Sequence, residues 1–260
     1  FRVGTFSWGN LTAATVAIGE FSLTFVLPLF LVNSLGLSTV RTGVVLAAMA
    51  LGSFLSGASA RHLAARMGAT GVVVLGLSLE VIGVGLLAWV VGAQGSTWLT
   101  VLTLVVYGIG LGLASAQLTS TVLHDIPADQ SGAGSATQST VRQLGSALGA
   151  AIAGSALGSA MNHTIPDAVT SASRVPARAL DTLVRATQSS AGSVIPGLRN
   201  APPTSPFIRP LGESRDAVIG GLETGFAHAA AWSIGLSSLF LIIGLLGAIM
   251  VRHQARKQVS

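Results

Sequence analysis

Six long apolar runs, separated by polar breaks, dominate the pattern of this 260-residue chain. A helix needs about 20 mostly apolar residues to cross the hydrocarbon of a bilayer. Residues 8–31, 42–63, 70–91, 98–123, 133–161 and 226–251 each meet that length. The pattern therefore predicts an all-α membrane protein with six transmembrane helices. Pro28 falls in the last turns of the first run, where a proline removes a helical hydrogen bond and favours a kink. Four breaks are short: 32–41 with Gly36, 64–69 with Gly68, 92–97, and 124–132. The fifth is a long loop, 162–225, rich in Pro, Ser and Ala and holding most of the acids. Loops of that length are functional or disordered. Within it, Pro176 to Ser189 has helical spacing, with Leu180, Leu183 and Val184 on one face. Glu213 to Glu223 reads as a second helix leading into the sixth run.

Composition agrees with the pattern and removes whole classes of function. Half of the residues are apolar, 9% are charged, and the mean hydropathy is +0.71. A soluble domain carries about 25% charged residues, so this chain lacks the polar surface to dissolve. The net charge of +5 comes from scattered arginines with no basic run among aromatics, which excludes a nucleic-acid partner. With no cysteine, thiolate metal sites, disulfides and cysteine nucleophiles are excluded. The histidines (His62, His124, His163, His228 and His253) form no metal-binding pair, so no metal or cofactor is expected. There is no G-x-S-x-G and no Walker sequence, and no enzyme is expected. The chain starts at Phe1 without a signal-peptide pattern, which reads as a fragment lacking its natural start.

Arginine and lysine in short loops set orientation. Arg2, Arg61, Arg66, Arg252, Arg256 and Lys257 fall on one side, against Arg41 alone in the short loops opposite. Both termini are therefore expected in the cytoplasm and the 162–225 loop outside, in a multi-pass protein of the cell membrane. Trp8 at one interface and Trp89 and Trp98 at the other fit aromatic belts.

Two acids interrupt the apolar runs. Glu20 lies near the middle of the first and Glu80 near the middle of the third. A charge at the bilayer centre costs about 2.5–3.5 kcal/mol even on the lenient insertion scale, so such residues face protein or water. Gly9, Ala13, Ala17 and Thr24 share a face with Glu20, and Gly76 and Gly83 share one with Glu80; small residues mark where another helix packs. Both acids are candidates for proton coupling, or for cross-linking helices by hydrogen bonds. Arg142, two to three turns into the fifth run, keeps its charge anywhere. It pairs with an intramembrane Glu or an anionic substrate group, or else it reaches the headgroups or caps a neighbouring helix. Gln117 and Gln143 read as interhelical hydrogen-bond glue or as cavity lining. Gly108 and Gly112, Gly145 and Gly149, and Gly154 and Gly158 are spaced for close helix packing; Gly108-Ile109-Gly110-Leu111-Gly112 is not a phosphate-binding loop.

The chain resembles one half of a major facilitator superfamily transporter, specifically the C-terminal six helices of the fourteen-helix drug:proton antiporters. Ile126-Pro127-x3-Ser131-Gly132-x-Gly134 followed by Arg142-Gln143-Leu144-Gly145-x2-Leu148-Gly149-x-Ala151 carries the likeness most specifically. Leu27-Pro28-Leu29-Phe30, then Leu35-Gly36-Leu37-Ser38 and Thr42-Gly43, are similar to an earlier helix and its exit loop. Arg66 and Gly68 are remnants of the superfamily's basic gating loop; Ala65 stands where its acid would be. The resemblance implies two inverted three-helix repeats, with a substrate site at the midplane against an absent N-terminal half. It also implies secondary active export of small amphiphilic drugs or antibiotics in exchange for protons. Glu20 would then approach the central cavity, while Glu80 would sit on a peripheral helix. The alternative is a non-transporting membrane scaffold that presents the long loop. The expected partners are a small amphiphilic substrate, protons, lipid and the other half of the transporter.

Overall fold

Each apolar run forms a single helix in the computed structural model, which describes residues 4–93, 96–123, 126–169 and 175–257. The long helices are α1 (Gly4–Asn33), α2 (Thr39–Met67), α3 (Ala69–Gly92), α4 (Thr97–Val122), α5 (Ser131–Val169) and α8 (Arg215–Lys257). Two short ones, α6 (Ala177–Ser189) and α7 (Val194–Asn200), lie between α5 and α8. Six helices are long and apolar enough to cross a membrane, and no strand occurs among the described residues. Arg2, His124 and Asp125, used above for orientation and for the fourth connection, lie outside the described residues.

Local chemistry sets the helix ends. Ser38 and Ser96 precede α2 and α4, and their hydroxyls accept from the N–H groups of Arg41 (3.4 Å) and Leu99 (3.5 Å), satisfying donors that a helix start leaves free. Gly68 ends α2 at φ +78°, a conformation glycine adopts without a Cβ penalty, and its N–H reaches the Ala64 carbonyl at 2.9 Å. Arg66 lies exposed in the last turn of α2, where a cation complements the helix dipole. Pro28 is accommodated inside α1, which runs on to Asn33.

The helices exchange partners between the two sequence triplets α1–α2–α3 and α4–α5–α8. The first helix of each triplet packs on the last two of the other: α1 on α5 and α8, and α4 on α2 and α3. The third helices, α3 and α8, join the two sets. Three spans bring a chain out on the far side, so successive triplets run in opposite directions, as in the inverted repeats of secondary transporters. The outcome is two compact sets, α1–α5–α8 and α2–α3–α4.

Close backbone approach holds these sets. A Cβ on Gly108 would lie 2.2 Å from the Met49 carbonyl oxygen, and one on Gly112 2.1 Å from that of Ser53, so α4 rides directly on α2. On the opposite side, Gly145 and Gly149 of α5 meet the carbonyls of Ala14 and Ile18 at 2.6 and 2.4 Å by the same measure. The Ser22 hydroxyl donates to the Gly149 carbonyl at 2.8 Å, a hydrogen bond that only such proximity permits. Gly154 meets only the Phe25 ring at ordinary contact distance, and Gly158 has nothing within 4 Å. The small-residue stripe of α5 is thus a packing surface over its first half and stops short of Gly158.

The stretch from 162 to 225 is mostly helical. α5 continues to Val169 and α8 begins at Arg215, so both overrun the span predicted from hydropathy. At 1.5 Å per residue their 39 and 43 residues extend about 58 and 65 Å, against a hydrocarbon core of about 30 Å. Their surplus lies at the same end of the bundle. There a Cβ on Gly225 would stand 2.8 Å from Ile165 Cα, and one on Gly221 2.9 Å from the Ala168 carbonyl. α6 and α7 fold against this pair, burying Leu183, Ile195 and Leu198 beside Val218, Leu222 and Phe226. The amphipathic reading of 176–189 matches α6: Leu183 is buried, and Leu180 and Val184 pack on the core. We refer to this compact assembly as the cap.

The glycine contacts make a differential prediction. Gly108→Ala drives a methyl into the α2 backbone and lowers stability by about 1–3 kcal/mol, as overpacking does. Gly158→Ala changes it by less than about 0.5 kcal/mol. Thermal unfolding of the two purified variants in the same detergent checks the difference; equal midpoints would remove the packing role from Gly108.

Candidate functional site

Glu20 is the seventeenth residue of α1 and is brought to the interior by what flanks it on the same helix. Ala13, Ala17 and Leu23 are fully buried, and the Thr24 hydroxyl turns back to the Glu20 carbonyl at 2.8 Å, hiding its own polarity. Gly145 and Gly149 draw α5 onto Ala14 and Ile18, and the long Arg142 side chain reaches along that contact to Glu20. The Arg142 guanidinium stands 3.8 Å from the Glu20 carboxylate, with side-chain exposures of 35% and 9%. That separation is an ion pair without a tight hydrogen bond, and the arginine retains an open side. Of the alternatives left by the sequence, pairing with an intramembrane glutamate describes Arg142.

Glu80 lies on the other set of helices and is completely buried. It packs against α4, where Gly110 supplies the room: a Cβ there would fall 3.0 Å from Glu80 Cγ and 2.6 Å from its backbone nitrogen. Gly76 and Gly83, one turn to either side, meet Ala114 and Tyr107 of α4 in the same way. Neither carboxyl oxygen of Glu80 has a hydrogen-bond partner among the described residues. The group remains within electrostatic reach of both Glu20 and Arg142. An acid on one helix set and an acid–arginine pair on the other therefore share one interior.

The glutamines divide. Gln117 is buried on α4 but interacts within its own helix: Ser120 donates to its carbonyl at 2.9 Å and approaches Oε1 at 3.5 Å. Gln143, one position beyond Arg142, is exposed and faces away from the bundle. Among the described residues neither side chain hydrogen-bonds to another helix, which accords with the cavity-lining alternative for both. The role of interhelical glue belongs to Gln138, buried on α5, whose amide donates to the Thr119 hydroxyl of α4 at 3.4 Å. Arg66 and Gly68 lie at the α2–α3 turn, remote from the acids along their helices, and serve there as a C-terminal cation and a helix cap. Among the described residues no cluster of three or more His, Asp and Glu offers a metal site.

The family model of the Major Facilitator Superfamily matches residues 1–150. The chain belongs to the Major Facilitator Superfamily. The matched stretch takes in α1 to α4 and the Arg142 half of α5, and hence Glu20, Glu80 and Arg142 together. The riboflavin transporter RibZ of Clostridioides difficile is 28% identical over 151 residues, 57% of this chain and 32% of the relative. A multidrug resistance protein B homolog of Mycobacterium tuberculosis is 27% identical over 168 residues, covering 64% and 31%. A tetracycline resistance determinant of Streptomyces rimosus is 27% identical over 153 residues, covering 56% and 42%. The chain thus spans between about a third and two-fifths of the curated relatives it matches. The superfamily is one of transporters, and this member is a multi-pass protein of the cell membrane.

The orphaned carboxyl makes a testable point. Glu80→Met replaces two buried, unpartnered oxygens with an apolar group of similar length, an exchange that is neutral or stabilising when nothing depends on the oxygens. The unfolding midpoint of this member of the superfamily should stay level or rise. A fall of more than a few degrees would show that the Glu80 oxygens have a partner, such as ordered water.

Proposed function

We propose that the chain is the C-terminal half of a proton-coupled exporter of small amphiphilic compounds, with Glu20 as the residue that exchanges the proton. The supporting observation is the Glu20–Arg142 pair at 3.8 Å inside a membrane bundle. The cation interacts with the carboxylate only while the acid is ionised. Taking up a proton releases the arginine, whose open side is then free to bind an anion, a lipid headgroup or water. That couples one proton to one rearrangement of charge, the elementary step an exchanger requires. Glu80 acts as the second acid of the same interior, altering the field at Glu20 from the opposite helix set. The names of the tetracycline and multidrug resistance relatives support drugs or antibiotics as cargo; the riboflavin transporter marks a broader range of planar, amphiphilic molecules.

The missing half meets the bundle, on this reading, along α2 and the early part of α5. Val44, Leu51, Phe54 and Leu55 of α2 and Leu144 and Leu148 of α5 are large apolar side chains left exposed. On the arginine count, both termini lie in the cytoplasm and the cap lies outside. Exchange and not symport is carried over from the resemblance.

A scaffold reading has one observation in its favour: residues 175–225 are folded against α5 and α8, as a presented domain would be. The intramembrane charges weigh against it, since a scaffold has no use for an acid pair and an arginine in its interior. Glu20→Gln in the full-length protein separates the two. Under exchange, substrate accumulation driven by a pH gradient falls to background while downhill equilibration of substrate persists. Undiminished gradient-driven transport in the variant would remove Glu20 from the coupling step.

A further inference from the structure

The contacts that bind the cap to the bundle converge on one side chain. Arg199, in the last turn of α7, directs its guanidinium to two helices at once. Its Nε donates to Glu223 of α8 at 2.9 Å, and its Nη2 bonds the same carboxylate oxygen. The same Nη2 also donates to the Ser34 carbonyl at 3.4 Å. Ser34 follows the last residue of α1, where carbonyls lack an in-helix donor and the helix dipole favours a cation. The Ser34 hydroxyl in turn donates to the Glu223 carbonyl at 3.1 Å, closing a ring of contacts among α1, α7 and α8.

The surrounding backbone is shaped for this side chain. Gly36, with φ +65°, lies so close that a Cβ would fall 1.7 Å from Arg199 Nη1. Any other residue there would collide with the guanidinium and would have to adopt a backbone conformation that L side chains avoid. Arg215 secures the opposite side of α7: its Nη2 donates to the carbonyls of Arg199 (2.9 Å) and Ala201 (2.8 Å). Asn33, the final residue of α1, donates to the Ala191 carbonyl of the cap at 3.1 Å. The end of α1 is thereby fixed to the cap and to α8 by side-chain hydrogen bonds.

We infer that Arg199 is a positioning residue for transport: it locks the cap-side end of α1 to α8, so that α1, α5, α8 and the cap move as one piece. α1 carries Glu20 and continues as one helix through Pro28 to Asn33, about 20 Å further on. A helix clamped at one end transmits its orientation to the other. Arg199 therefore governs how Glu20 is presented without touching substrate. The contact stands on geometry alone, and its effect on turnover rests on the transport reading above.

The test uses the full-length protein with Arg199→Gln, Gly36→Ala and Glu223→Gln. Gly36→Ala displaces the flexible guanidinium and leaves Arg199 in the sequence; Glu223→Gln keeps the shape of the acceptor. Hydrogen exchange should accelerate about tenfold in α7 and in the last turn of α1, as expected on losing a charge-assisted bond, and stay unchanged in the middle of α3. In reconstituted vesicles, turnover should fall severalfold with KM unaltered, because none of the three substitutions replaces a residue that touches substrate. Arg199→Lys keeps the charge but loses the fork, and should recover only part of the turnover. Unchanged exchange at the end of α1 would overturn the clamp. Faster exchange with unchanged turnover would overturn the positioning role. If the parent protein carries no cargo at all, the transport reading fails, and the exchange measurement alone then decides the clamp.

Discussion

Everything in this bundle depends on backbones coming within touching distance of one another. Lipid tails are as apolar as leucine, so helices in a membrane gain nothing by hiding apolar side chains from lipid. What remains is dispersion, which falls away steeply once surfaces separate. Gly108 and Gly112 of α4 against Met49 and Ser53 of α2, and Gly145 and Gly149 of α5 against Ala14 and Ile18 of α1, meet that requirement by omitting side chains. The same omission brings polar groups together. Ser22 reaches a carbonyl of α5, and Arg142 reaches Glu20, because α1 and α5 are already in contact.

Close packing also explains why charge is tolerated in the interior. Two acids and an arginine on separate helices would each face a large penalty in hydrocarbon. Brought together, Glu20 and Arg142 offset one another, and Glu80 lies against an α4 face cleared by Gly110. Yet compensation is incomplete: the ion pair is loose, and the Glu80 oxygens have no hydrogen-bond partner among the described residues. An apolar residue of similar size would serve stability as well as or better than these groups do. Incomplete compensation leaves the charges free to respond to a proton or to a bound molecule.

Much of this was legible in the sequence because its signals are local. Six apolar runs give six helices, the glycine spacings give most of the contact faces, and two acids in apolar runs give the interior. The pairing of Arg142 was one of two open readings, because a sequence does not say how far one helix stands from another. Gln138 was passed over in favour of Gln117 and Gln143 for a related reason. Successive residues on a helix differ by about 100° in direction, so five positions along α5 separate a side chain facing Thr119 from one facing outward. The cap was the least legible part. α6 has a recognisable apolar face, but Arg199, Glu223 and Ser34 are far apart in sequence, and no periodicity announces their meeting.

The partner exchange between triplets gives these separate features a common frame. Glu20 and Arg142 belong to the set α1–α5–α8, and Glu80 belongs to α2–α3–α4. The interior charges therefore straddle the boundary between the two sets, where α1 and α4 have only slight contact and α3 and α8 carry most of the joining surface. The cap, by contrast, is bonded to α1, α5 and α8. One set is thus braced at its end and holds the ion pair, while the acid that perturbs the pair belongs to its neighbour. If Glu20 exchanges a proton as proposed, its change of charge acts across a boundary between two well-packed bodies, where a small local change has the leverage to move something larger.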